Sequence, residues 1–308
     1  MAIENTKLTP IQNAMLEILW IICRGFAILP DFIRHGIFTN LAYFIICYVV
    51  RYRRKVMMDN LRRSFPDASE KDIKKICRKA YYNLAEQIIN TIGQAGISDK
   101  EMLHRLELPN IEQTRKEMGG KSAVFMMGHY GPWEAGLAVS IKLPEQRLVA
   151  VYHKLTNPVI DELLKRIRQR PNVDLVDMKR TIRHFIDNRD KQPMIIGLIS
   201  DQNPPYRANM PWFKFLHQWS AFFDGAEMIA TKYKLPVYYF SPRRVKVGHY
   251  VGVFKRIHDG VEPIEPNTIT ERFVRMVEED IIKYPELWMW THRRWKHTPP
   301  AELLEQKI

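Results

Sequence analysis

A histidine and a carboxylate with four residues between them, His129 and Glu134, lie in the stretch Ser122-Ala123-Val124-Phe125-Met126-Met127-Gly128-His129-Tyr130-Gly131-Pro132-Trp133-Glu134. A histidine near its unperturbed pKa can take a proton from an alcohol at neutral pH. A carboxylate bonded to its other ring nitrogen fixes the tautomer and stabilises the imidazolium. No serine or cysteine adjoins the pair, so it reads as activating a substrate hydroxyl rather than a nucleophile of the protein. A metal site built on the same residues would lack an HExxH arrangement and an obvious third ligand. A histidine satisfied structurally at a strand end is the bland alternative. The chain holds no GxSxG elbow, GxxxxGK[ST] loop or GxGxxG fingerprint, so hydrolase, P-loop and dinucleotide readings lose their usual support, and no cofactor is expected.

Three other clusters carry polar chemistry. Val151-Tyr152-His153-Lys154 runs into a helical segment bearing Lys165, Arg166, Arg168 and Arg170. Cations where a strand ends suit phosphate, though a solvated helix face looks the same in sequence. Ile199-Ser200-Asp201-Gln202-Asn203 closes another strand, and Asp201 with Gln202 could orient a sugar or a thioester donor, or simply cap a turn. Trp288-Met289-Trp290-Thr291-His292-Arg293-Arg294-Trp295 interleaves rings and cations. That pattern fits stacking on single-stranded nucleic acid or a strand with its indoles inward, and no nucleic-acid motif accompanies it.

The elements that must position these groups alternate. Strands are predicted at Ser122–Met127, Arg147–Tyr152, Val173–Val176, Met194–Ser200, Pro236–Phe240 and Tyr250–Phe254. Helices are predicted at Pro132–Ile141, Pro158–Arg170, Lys179–Asn188, Phe223–Lys234 and Thr268–Lys283, with Asn157 and Asp177 as caps. This alternation implies an α/β fold with a single, mostly parallel sheet flanked by helices. Reactive groups in such folds sit at the carboxyl ends of the strands. Asn203 to Trp212, rich in proline, reads as a long loop facing substrate.

The first third differs. Met15–Leu29 and the uncharged, 16-residue run His35–Val50 are apolar and aromatic, and Arg51-Tyr52-Arg53-Arg54-Lys55 follows at once. Both runs fall short of the roughly 20 residues of a comfortable span and read as segments lying in a membrane interface, or else as buried core helices. Residues 1–65 are accordingly expected to form a membrane-associating helical region and 66–308 an α/β domain. Ser69 and Asp72 open a helix whose Ile73, Ile76, Ala80, Leu84 and Ile88 recur at helical spacing, with Lys71, Lys74, Lys75, Arg78 and Lys79 elsewhere around it. The formal charge of +13 points to an anionic partner. Cys23, Cys47 and Cys77 form no CxxC pair and fit a reducing, cytosol-facing location, and Met1 to Gln12 shows no tripartite signal.

Gly128-His129-Tyr130-Gly131-Pro132-Trp133-Glu134 resembles the HX4D/E signature of the lysophospholipid acyltransferase-like superfamily, in the version seen in lipid A late (lauroyl/myristoyl) acyltransferases. Four landmarks agree in order: Tyr52-Arg53-Arg54-Lys55-Val56 through Asn60-Leu61 to Phe65-Pro66; Asp201-Gln202; Phe223-Asp224-Gly225-Ala226; and Trp288 to Trp295. The resemblance implies a glycerolipid acyltransferase-like fold and an enzyme on the cytoplasmic face of the cell inner membrane. It would move a fatty acyl chain from acyl carrier protein to a hydroxyl of a lipid A precursor. By that resemblance His129 is the general base and Glu134 its orienting acid. Lys154, Arg166, Arg168, Asp201 and Gln202 are the candidate substrate-binding residues. His153-Lys154 stands where relatives often carry an arginine after the tyrosine. Another lipid acceptor, or nucleic acid as the partner, are the alternative readings.

Overall fold

The computed structural model describes residues 7–207 and 209–305, so part of the Met1–Gln12 segment lies outside the described residues. Helix α1 (Pro10–Ala27) starts at Thr9, whose hydroxyl accepts from the Gln12 amide while the Gln12 side chain accepts from the Thr9 amide. A second helical run, Phe32–Val49, is α-helical over Thr39–Phe44 (α2) and π-type on either side, over Phe32–Phe38 and Ile45–Val49. By length and composition it is the one helical stretch among the described residues able to cross a membrane. Arg51 and Arg53, both at positive φ, turn the chain into α3 (Arg54–Ser64). Helix α4 (Glu70–Gly93) is capped by Ser69, which accepts from the Asp72 amide at 3.2 Å. Ile73 and Ala80 of its predicted stripe are buried, but Ile88 is exposed and Ile89 is buried in its stead. In this second half the helix packs on more than one side, and Asn83, Glu86 and Gln87 are buried too.

Beyond α5 (Asp99–Arg105), β1 (Leu106–Glu107) and α6 (Ile111–Met118), the alternating pattern holds. The strands are β2 (Ala123–Met127), β3 (Arg147–Tyr152), β4 (Val173–Asp177), β5 (Met194–Ile199), β6 (Trp212–Phe215), β7 (Gln218–Ala221), β8 (Val237–Lys246) and β9 (His249–His258). The main sheet has the order β1-β9-β8-β2-β5-β3-β4, and only β8 and β9 run antiparallel. A separate hairpin, β6–β7, follows the proline-rich loop. Its turn uses Leu216 and His217 at positive φ, where Asn-Gly would be the readable signal, so no sequence cue announced it.

The later helices are α7 (Val139–Lys142), α8 (Pro158–Arg168), α9 (Thr181–Asn188), α10 (Gly225–Tyr233), α11 (Thr268–Lys283) and α12 (Ala301–Leu304). Asn157 caps α8, accepting from the amides of Val159 and Ile160. The predicted helix at Pro132 is instead a 3₁₀ segment, Trp133–Ala138, leading into the short α7. Pro132 sits at ψ 62, outside the helical region, and the chain re-enters helix as a tight turn. Val124 and Met126 belong to the core cluster built with α3, α4, α10 and α11, whereas Phe125 belongs to the one built with α6 and α7. The connection leaving β2 thus covers one face and that leaving β5 the other. Where neighbouring strands send their connections to opposite faces, a crevice opens over their carboxyl ends.

Candidate active site

Strands β2 and β5 pair in parallel with Met127 opposite Ile199. Two residues past each partner stand His129 and Asp201, so the register itself brings them together. The His129 Nδ1 lies 2.7 Å from Asp201 Oδ1, and the His129 amide donates to Oδ2 at 2.9 Å. The Trp288 indole donates to the same Oδ2 at 2.6 Å. Asp201 is fully buried. Burial by itself would raise its pKa. The charge of His129, with the ring, amide and indole hydrogen bonds, outweighs burial and holds the carboxyl below its ordinary value. An ionised Asp201 accepts a hydrogen bond from a proton held on Nδ1, which leaves the lone pair on Nε2 of a ring that lines the cavity.

The turn carrying His129 is held from both sides. Its carbonyl accepts from the Met289 amide at 3.1 Å, and the Gly131 amide donates to Leu287 at 2.9 Å. Tyr130 is buried and donates to the Asp280 carbonyl at 2.9 Å. Gly131 has φ +54, and a Cβ there would stand 3.1 Å from the Pro242 carbonyl oxygen. A Cβ on Gly128 would meet Val277 at 3.0 Å and Asp201 Oδ2 at 3.3 Å, so any side chain there presses on the carboxylate. The segment from Trp288 is no strand. It is irregular chain secured by Asn60, whose amide donates to the Trp290 and His292 carbonyls, both at 2.9 Å, and by Arg53, which donates to Thr291. The first and last sequence landmarks are therefore one structural unit.

The hydrogen bonds of Glu134 go to Arg168 and not to the His129 ring, which it was expected to orient; the ring nitrogen's partner is Asp201. Both Glu134 oxygens bond the Arg168 guanidinium at the end of α8, one at 2.9 Å from Nε and the other from the terminal nitrogen. The 3₁₀ turn after Pro132 directs Glu134 towards that helix. Burial would lower the Arg168 pKa, but the Glu134 carboxylate raises it. Trp133 packs edge-on against the His129 ring, with centroids 5.5 Å apart.

A cavity of about 990 Å³ opens over His129. Arg53, His129, Glu134, Arg168, Gln202 and Lys296 contribute to its polar part. Leu137, Leu148, Ala150, Leu164 and Leu175 line an apolar extension. Of the candidate residues, His129, Glu134, Arg168 and Gln202 line this space, and Asp201 underlies it. Lys154 is exposed and Arg166 bonds Glu17 at 2.7 Å while stacking over Trp20, so the latter ties α8 to α1. The proline-rich loop contributes Asn203, Pro204, Pro205 and Tyr206 to the cavity. His292, also lining it, is pushed down to about 4 by burial and is neutral near pH 7. The buried Arg294 donates to the Ala221 carbonyl at 2.6 Å and lies over the Phe222 ring.

An imidazole held by a buried carboxylate, at a crevice that opens on a partly apolar cavity, is an arrangement that can activate a hydroxyl beside a lipophilic chain. The bacterial lipid A biosynthesis acyltransferase family matches residues 3–297, and the chain belongs to that family and is an acyltransferase. The lipid A biosynthesis lauroyltransferase of Escherichia coli (strain K12) is 25% identical over 287 residues, covering 92% of this chain and 90% of the relative. The lipid A biosynthesis acyltransferase of Haemophilus influenzae (strain ATCC 51907 / DSM 11121 / KW20 / Rd) is 26% identical over 294 residues, covering 91% and 88%.

Proposed function

We propose that the enzyme transfers a fatty acyl chain from an acyl carrier protein thioester to a hydroxyl of a lipid A precursor, at the cytoplasmic face of the inner membrane. His129 Nε2 takes the proton of the acceptor hydroxyl as its oxygen attacks the thioester carbonyl. The tetrahedral intermediate collapses with loss of the thiolate, which receives the proton from the imidazolium, so His129 ends neutral. Asp201 orients the ring and stabilises the imidazolium while it lasts. The Glu134–Arg168 pair supplies a rigid cation near the reacting centre, suited to a phosphate or a developing oxyanion. Gln202, which lines the cavity, stays a candidate for contact with the substrate head group, whereas the buried Asp201 acts only through His129. The N-terminal region, residues 1–65, rests on the membrane through the exposed apolar faces of α1 and Phe32–Val49, with the Arg51–Lys55 cluster against anionic lipid.

The observation that carries this reading is that His129 lines a cavity of about 990 Å³ whose walls include an apolar set, Leu137, Leu148, Ala150, Leu164 and Leu175. Such a space suits a hydrocarbon chain, each buried methylene being worth about 0.8 kcal/mol. The test is transfer from acyl-loaded carrier protein to a tetra-acylated lipid A precursor, read by mass. A product heavier by one acyl chain supports the reading. An unmodified precursor with efficient acylation of a glycerolipid would sink the acceptor assignment.

A further inference from the structure

Strands β8 and β9 are each 10 residues long, while β2 beside them has 5. Pairing of β2 with β8 ends at Tyr239, while β1 still pairs with Tyr250 and Val251 of β9, so only the turn of the ribbon past Arg244 and Tyr250 extends beyond the sheet. The projection is clamped at its neck. Buried Glu86 of α4 accepts from Arg244 at 2.7 Å, from the Gly248 amide at 3.0 Å and from the Tyr250 hydroxyl at 2.5 Å. Beyond the clamp, Val245 is 64% exposed and Val247 is 38% exposed, with Lys246 also in solvent, and Arg243 is exposed one residue before the clamp. Val245 is an extra residue in the ladder, since Arg244 pairs with Tyr250 and Lys246 with His249. A bulge of this kind re-aims a side chain.

The tip lies against the Phe32–Val49 run. A Cβ on Gly248 would stand 2.8 Å from His35 Nε2. Tyr82 carries the Arg244 guanidinium at 5.9 Å on its ring and makes an edge contact with Tyr43 at 5.7 Å. That run exposes Ile37, Leu41 and Phe44. Two exposed valines beside two exposed cations, on a tip packed against that helical run, match the apolar-over-anionic layering of a bilayer interface.

We propose that the β8–β9 tip is a second membrane contact: Val245 and Val247 enter the interfacial layer of an anionic bilayer, and Arg243 and Lys246 meet its head groups. The enzyme is then mounted at two separated points of the chain. This rests on the membrane reading of the N-terminal helices.

The test places an environment-sensitive fluorophore on Val245→Cys in the full chain, with the buried Cys23, Cys47 and Cys77 left in place. Vesicles of phosphatidylethanolamine and phosphatidylglycerol are compared with neutral phosphatidylcholine. The expected result is a blue shift with at least a twofold rise in emission on the anionic vesicles, reduced by salt. Each cation near such a surface is worth about fivefold in partitioning, so Arg243→Gln with Lys246→Gln should weaken the response roughly tenfold or more. Val245→Asp with Val247→Asp should reduce vesicle binding with no change in melting temperature. Protein that sediments with vesicles while the label stays in water overturns the tip contact alone and leaves the acyl-transfer reading, scored by product mass, intact. No vesicle binding overturns the tip contact and the membrane reading together. A shift that follows protein concentration without lipid assigns the tip to contact between copies and overturns it as well.

Discussion

The crevice over the strand ends and the N-terminal helices use similar apolar residues in opposite ways. In the core beneath the crevice, Phe273, Leu61 and Val124 are completely buried, and each oxygen of Asp201 has its donor. On the N-terminal helices, Phe32 is 72% exposed, and Ile22, Ile37 and Phe44 also face outward. The crevice is finished before any substrate arrives, which is what preorganised catalysis requires. The helices are unfinished in water, and contiguous exposed apolar surface of this kind marks a missing partner. On the proposed reading, one region supplies chemistry and the other supplies address. They meet where Arg53 and Asn60 hold the segment after Trp288.

The sharpest way to break this contrast is at its catalytic pole. His129→Ala should lower acyl transfer about 10³-fold or more, within the range of a lost general base, with the fold retained by circular dichroism and thermal melting. Asp201→Asn should cost nearly as much, because an amide can donate to Nδ1 and leave the proton on Nε2, the wrong tautomer for a base. Full activity in the His129 variant would end the mechanism. A second, smaller pair of effects tests the packing difference directly. Phe273→Ala should destabilise by about 3–5 kcal/mol in chemical denaturation. Phe32→Ala should stay within about 0.5 kcal/mol, yet weaken vesicle binding. Equal destabilisation by the two would mean that the N-terminal helices are core after all.

Much of this was legible from sequence because local rules dictated it. Strand–helix alternation, the Asn157 and Ser69 caps and the glycine turn around His129 are short-range features. The pairing of His129 with Asp201 was not legible, because it depends on β5 lying beside β2 in a given register. Asp201 was visible as a polar residue just past a predicted strand, one beyond Ser200 against two for His129 beyond Met127, and the offsets match only because β5 ends at Ile199. Arg168 was one of several cations on a helix, and nothing local separated it from Arg166. Their fates diverged through α8's contacts: Arg166 meets Glu17 of α1, while Arg168 at the helix end reaches Glu134. Trp288 carried no sequence mark of its role on Asp201, since a tryptophan in an aromatic run reads as packing.

Glu134 offers the finest test of how the crevice divides its labour. If it acts through Arg168, Glu134→Gln and Arg168→Gln should each slow transfer about 10- to 100-fold. The double variant should then be no slower than either alone, a coupling of about 1–3 kcal/mol in a double-mutant cycle. Glu134→Gln combined with Asp201→Asn should multiply, because the two carboxylates would serve different partners. A different pattern would redraw the site. Should Glu134→Gln fall as far as His129→Ala while Arg168→Gln keeps most of its rate, Glu134 must reach the imidazole once substrate binds, since catalytic hydrogen bonds can tighten in the substrate complex. Asp201 would then be the fixed anchor of His129 and Glu134 its moving partner.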